Sequence, residues 1–177
     1  MTLTFELDPA VDRALRDGVI ALWADVSNAG GAVGFVPPVT PEEIRPALLK
    51  HLVGMADGGT RLLVGRDGDG EVAATAFYTT NGHPLMRHWV WLYTVMVHPK
   101  HQGKGYGLDL MAAVEEAART GEGFEHVEAI RLTCRGGTGV DAFYARAGYK
   151  EVGRVPAAIR VAPGDDRDDI IMLLQLR

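Results

Sequence analysis

Cysteine is nearly absent from this chain. Cys134 is the only one in 177 residues, so no intramolecular disulfide can form and packing must hold the fold. That usage suits a reducing compartment and predicts the cytoplasm. Long apolar runs are missing too. None approaches the roughly 20 residues of a membrane span, so no membrane partner is expected. The start, Met1-Thr2-Leu3-Thr4-Phe5-Glu6, has neither a basic region nor an apolar core and does not resemble a secretory signal. Positive charge is in deficit: 18 Lys and Arg stand against 23 Asp and Glu, a formal net charge of −5. That argues against nucleic acid as a partner, although a local basic patch around a phosphate stays open. Metal ligands are not clustered. His83, His88, His98 and His101 lack acidic or cysteine companions at ligating spacing, so no metal is expected. The acidic run from Asp165 to Asp169 lacks the calcium-loop pattern and reads as a solvated turn. Repeats, linkers and low-complexity segments are absent, which predicts one domain over residues 1–177.

What is present is patterned. Residues 2–7 alternate as a strand. Asp8 then reads as an N-cap with Pro9 at the first helical position, and Val11, Leu15, Val19, Leu22, Trp23 and Val26 recur at helical spacing. Residues 30–38 form a loop both Gly-rich and apolar, which predicts packing on the core or a wall of an acceptor pocket. Thr40, Pro41 and Glu43 have capping-box spacing, opening a helix to about Ala56 with Pro46 inside it. Two strands, residues 61–66 and 71–78, flank the hairpin signal Asp67-Gly68-Asp69-Gly70, and a third runs over residues 89–97. The following helix turns Leu108, Met111, Val114 and Ala118 inward. A strand over 128–134 places Cys134 in the core, a short helix over 140–147 ends at Gly148, and strands over 149–161 and 170–176 close the chain. The class is mixed α+β, ordered β-α-α-β-β-β-α-β-α-β-β.

Chemistry concentrates in residues 95–108. The strand ending Val95-Met96-Val97 is stopped by His98-Pro99, and Gln102-Gly103-Lys104-Gly105-Tyr106-Gly107-Leu108 leads into a helix. Glycines let backbone N–H groups approach an anion together, and the helix start adds unpaired donors and a positive dipole end. No Walker A pattern occurs, and Gly-x-Gly-x-Gly is not the dinucleotide fingerprint.

Gln-x-x-Gly-x-Gly after Val-x-Pro resembles the acetyl-CoA-binding segment of the GCN5-related N-acetyltransferase (GNAT) family. The element order is similar to that fold over nearly the whole chain. Ala142-Phe143-Tyr144-Ala145-Arg146-Ala147-Gly148-Tyr149 resembles the family's second signature. The loop at 30–35 and residues 149–156 resemble the tabtoxin-resistance branch, which acetylates a small amino-acid toxin. The resemblance implies acetyl-CoA as cosubstrate and transfer of its acetyl group to the primary amine of a small molecule, an amino-acid-like antimetabolite or antibiotic, by a monomer or homodimer. Backbone N–H groups of Gly103, Lys104, Gly105, Tyr106, Gly107 and Leu108 would face the pyrophosphate, Gln102 would support the turn by hydrogen bonds, and the Lys104 side chain would either add charge toward a phosphate or point to solvent. Val95, Met96 and Val97 would pair with the pantetheine arm, with one valine N–H facing the thioester oxygen. Tyr144 would donate to the leaving thiolate, and Thr138 would touch the pantetheine. Where relatives carry a glutamate base, Trp91 stands instead, leaving His88, Tyr93, Thr133 or a water chain as substitutes. The alternatives are a protein lysine or N-terminal acetyltransferase, and an acyl-CoA sensor without catalysis.

Overall fold

The computed structural model describes residues 2–177. Seven strands form one sheet, in the order β1-β2-β3-β4-β5-β7-β6. They are β1 (Thr4–Leu7), β2 (Thr60–Arg66), β3 (Val72–Thr80), β4 (Trp89–Val97), β5 (Ala129–Arg135), β6 (Lys150–Ala162) and β7 (Asp165–Gln175). Every neighbouring pair is antiparallel except β4 and β5. Four helices complete the chain: α1 (Arg13–Asn28), α2 (Pro41–Ala56), α3 (Tyr106–Thr120) and α4 (Val140–Arg146). The order matches the expected one.

Alternation along the strands gives the sheet two apolar faces. On one, Leu63, Ala76, Tyr78, Val90, Leu92, Ile130 and Leu132 pack against Leu110, Met111 and Val114 of α3 and Tyr144 of α4. On the other, Leu62, Val64, Phe77 and Met96 pack against α1 and α2. The Thr40 capping box is present, with Glu43 reaching back to the Thr40 N–H at 2.8 Å.

Three local expectations change. The first helix starts at Arg13, where the Asp12 carboxylate accepts from the Leu15 N–H at 2.7 Å. Asp8 is not the cap. Its carboxylate accepts from the Leu62 N–H at 2.9 Å and pairs with Arg61, bracing the β1–β2 edge, so Val11 is left exposed. Leu108 is exposed and Leu110 takes its place in the core. The acidic run is strand rather than turn. β7 begins at Asp165, and Arg167, Arg160 and Arg154 pair with Asp165, Asp166 and Asp168, so the ladder spaces the like charges between cations.

Asp67, in the β2–β3 turn, reaches across to the loop after β4. It contacts His101 Nε2 at 3.1 Å and Lys100 Nζ at 3.2 Å, with its side chain only 2% exposed. This contact and the His98–Asp25 contact at 3.1 Å tie the loop to two separate elements.

Candidate active site

The site is a break in the sheet. β4 and β5 pair only at Trp89–Ala129, Val90–Ile130 and Trp91–Arg131, then separate. A cavity of about 730 Å³ opens between their C-terminal halves. β4 is also bulged here. Phe77 opposes Tyr93 and Thr75 opposes Met96, so Thr94 and Val95 together face only Ala76. Thr94 takes up the extra residue at φ 49°, in the left-handed region. The bulge shifts the alternation by one, so that Val95 and Val97 join the same apolar face as Val90 and Leu92.

The ladder also fixes where the main chain points. The His98 N–H donates to the Ala73 carbonyl at 2.8 Å, so Met96 is turned toward β3 and Val97 and Val95 away from it. Their peptide groups therefore look into the gap that β5 leaves. The Gln102 side chain donates to the Val97 carbonyl at 2.9 Å, tying the loop to this strand end.

At the mouth of the gap the chain turns into α3. Gly103 and Gly105 have φ of 73° and 90°, and a Cβ added to either would meet nothing within 4 Å. The space beside both glycines is therefore open on the outside of the loop. Gly105 caps α3 without any side-chain hydrogen bond, and its carbonyl accepts from the Leu108 and Asp109 N–H groups at 2.9 and 3.3 Å. Gly107 matters for packing instead: a Cβ there would lie 3.0 Å from the Phe143 ring of α4.

Tyr144, 7% exposed, lies at the cavity beside Cys134. Burial, with Cys134 adding to it, pushes the phenol well above its ordinary range. Burial and the nearby Asp141, Asp169 and Glu151 push the Cys134 thiol up to about 11. Both groups are neutral at pH 7, and a neutral phenol is a hydrogen-bond donor.

Of the residues singled out by sequence, Val95, Met96, Val97 and Tyr144 line the cavity together with Gln102, Gly103, Gly105, Gly107 and Leu108. Three do not. The Lys104 ammonium donates back to the Lys100 carbonyl at 2.8 Å, and the Thr138 hydroxyl to the Arg135 carbonyl at 2.8 Å. The Tyr106 ring stands edge-on to His101 at 5.7 Å. Among the candidate bases, Tyr93 and Thr133 line the cavity, whereas His88 is exposed outside it. Trp91 carries the Arg131 guanidinium on its face at 4.5 Å. The apolar loop packs on the core through Val33 and Phe35, as one of its two readings expected, and residues 31–34 also line the cavity. The Trp23 indole N–H holds that wall by donating to the Val33 carbonyl at 2.8 Å.

Sequence reasoning missed His51. Its ring stacks on Trp23 at 5.6 Å and touches Phe77 and Tyr93 at 4.8 and 5.0 Å. Burial, and to a lesser degree Lys50, lowers its pKa, favouring neutral imidazole. The signal was available, because His51 continues the buried Ile44, Leu48 stripe of α2 at helical spacing. Among the described residues no cluster of three His, Cys, Asp or Glu is placed to hold a metal, and no helix is long and apolar enough to cross a membrane.

A sequence model of the acetyltransferase (GNAT) family matches residues 34–149. No curated protein matches the sequence. Solved structures do match in fold. A candidate phosphinothricin N-acetyltransferase shares 20% identity at a TM-score of 0.77, over 98% of this chain and 99% of its own. A spermidine N-acetyltransferase chimera from Vibrio cholerae and hSSAT shares 18% at 0.74, over 99% and 96%. The yncA protein of Salmonella typhimurium, a candidate acetyltransferase solved with its cofactor acetyl-CoA, shares 19% at 0.75, over 100% and 95%.

Proposed function

The chain belongs to the acetyltransferase (GNAT) family, and from that premise we propose that it transfers the acetyl group of acetyl-CoA to the primary amine of a small molecule. The observation that carries this reading is the β4–β5 break, which turns the Val95 and Val97 peptide groups into a cavity bordered by Gly103, Gly105 and Tyr144. Acetyl-CoA, when bound, supplies an activated acetyl thioester. The residues divide the remaining work. Main-chain N–H groups from Gly103 to Gly107 hold the pyrophosphate, an arrangement for which the open space beside Gly103 and Gly105 is suited, the Leu108 N–H being spent on the Gly105 carbonyl. The valine N–H groups pair with the pantetheine arm, and one faces the thioester oxygen as it gains negative charge. Tyr144 donates to the departing thiolate, a task for which burial keeps its proton in place. The branch resemblance points to an amino-acid-like antimetabolite or antibiotic as acceptor, taken up on the side walled by residues 31–34, with both substrates bound together.

One observation favours a second reading. No carboxylate lines the cavity, and Tyr93 and Thr133 are weak bases. An acyl-CoA sensor without catalysis would need none. Free-thiol release from acetyl-CoA with a panel of amines, beside acetyl-CoA binding by calorimetry, separates the two. Thiol release with any small amine supports the transferase. Binding without release for every amine favours the sensor, and no binding refutes both.

A further inference from the structure

The cavity carries charge of one sign only. Its charged lining residues are Arg135 and Arg146, with no Asp, Glu, Lys or His beside them. The two arginines belong to different faces of the sheet. Arg146 ends α4, on the α3 side where the nucleotide would lie. Ile130, Leu132 and Cys134 of β5 point into that same α3–α4 core, so Arg135, offset by one residue, turns to the α1–α2 face. There it shares the cavity with the wall formed by residues 31–34.

Arg135 is also unspent. Among the described residues its side chain makes no hydrogen bond or ion pair, and its Nε is buried without a partner. Asp169 stands opposite it in the β5–β7 register, yet no ion pair within 4.0 Å forms. Asp165, the other nearby acid, is engaged by Arg167. The Arg131 Nε is likewise buried and unpartnered, but its guanidinium rests on Trp89 and Trp91 at 5.3 and 4.5 Å. A buried guanidinium donor without an acceptor is costly unless something supplies one, and its planar fork suits a carboxylate or a phosphorus oxyanion.

We infer that Arg135 reads an anionic group on the acceptor amine, so that the substrate is an amino acid or a similar zwitterion and not a polyamine. This rests on the reading of the cavity as an acetyltransferase site. The anion anchors the acceptor on the α1–α2 side, and the cationic lining disfavours a second ammonium. The cavity has no acid to hold one.

The test compares free α-amino acids with their carboxamides, and with spermidine, as acceptors of acetyl from acetyl-CoA. Carboxylate-bearing acceptors are expected to exceed their amides at least about tenfold in kcat/KM. Arg135→Gln should reduce that ratio to within about twofold, acting through the acceptor KM and leaving coenzyme A affinity unchanged. Arg135→Lys should keep part of the preference. Amides or spermidine used as well as amino acids would overturn the inference. So would weakened coenzyme A binding in Arg135→Gln, which would move the arginine to the nucleotide. Calorimetric binding of N-acetyl amino acids against N-acetyl amino amides, with coenzyme A present, reads the same contrast without turnover. If no amine is acetylated, the proposed function fails, and this binding contrast alone decides the inference: tighter carboxylate binding supports it, equal binding overturns it.

Discussion

Two side chains are asked to do more than pack. Tyr144 is buried, and its raised pKa keeps it a donor across the physiological range. Tyr144→Phe removes the hydroxyl and little else. The expected result is a fall of about a hundredfold in kcat with acetyl-CoA affinity nearly unchanged, measured by thiol release and calorimetry. A wild-type rate would take Tyr144 out of the mechanism. Asp67 acts at a distance, through the loop. Burial alone would raise its pKa, but hydrogen bonds from Lys100, His101 and the N–H groups of Glu71 and Asp69 outweigh burial and pull it down to about 2. Because the folded value lies below the ordinary 3.8, the unfolded chain takes up the proton first as pH falls. The stability Asp67 contributes is therefore whole above about pH 4 and drains away as pH falls through about 2. Asp67→Ala should cost about 1–3 kcal/mol at pH 7 in urea unfolding, since it strands the buried His101 ring. It should also flatten the acid limb of the stability curve. An unchanged acid limb would mean the contact is not formed in solution.

At the level of elements, the turn into α3 separates two effects that one substitution would confuse. Gly105 has φ of 90° and open space around its missing Cβ, so Gly105→Ala meets backbone strain but no clash. Gly105→Glu meets the same strain and adds a negative charge where the pyrophosphate is proposed to sit. Both variants should lose about 1 kcal/mol of stability. Only the glutamate should abolish acetyl-CoA binding by calorimetry, and equal affinities for the two would remove the phosphate from this loop. This loop was legible in the sequence because its chemistry is local: a strand, a proline, alternate glycines and a helix within fourteen residues. The Thr40 capping box and the bounds of β4 were legible for the same reason. The rest depended on contacts between distant segments. Asp8 before Pro9 looks like a cap, but it is drawn off by Arg61 and Leu62, more than fifty residues away. The run from Asp165 to Asp169 looks like a solvated turn until β6 supplies arginines opposite it. Arg135 has no motif at all. Only the divergence of β4 from β5 reveals that it faces a cavity.

Across the whole molecule, the sheet is nearly cut in two. β1 to β4 form one antiparallel half and β5 to β7 the other, joined by three residue pairs at the base of the break. Elsewhere along β4, only the side facing β3 is paired. A ligand arm that lies between the halves and hydrogen-bonds to Val95 and Val97 would replace the missing strand contact, so binding should tighten the fold as a unit. Linkage sets the size of the effect. At a hundredfold excess over Kd, acetyl-CoA should add about 2.7 kcal/mol. For a chain of this length that is a rise in Tm of roughly 5–10 °C. Amide hydrogen exchange should slow at Val95 and Val97 and at the N–H groups opening α3, and less in β1 or β6. Gly105→Glu should show neither the thermal shift nor the protection. Protection confined to α1 and α2, with β4 exchanging as in the free protein, would place the nucleotide away from the break and leave the divergence of the two halves as a feature of packing alone.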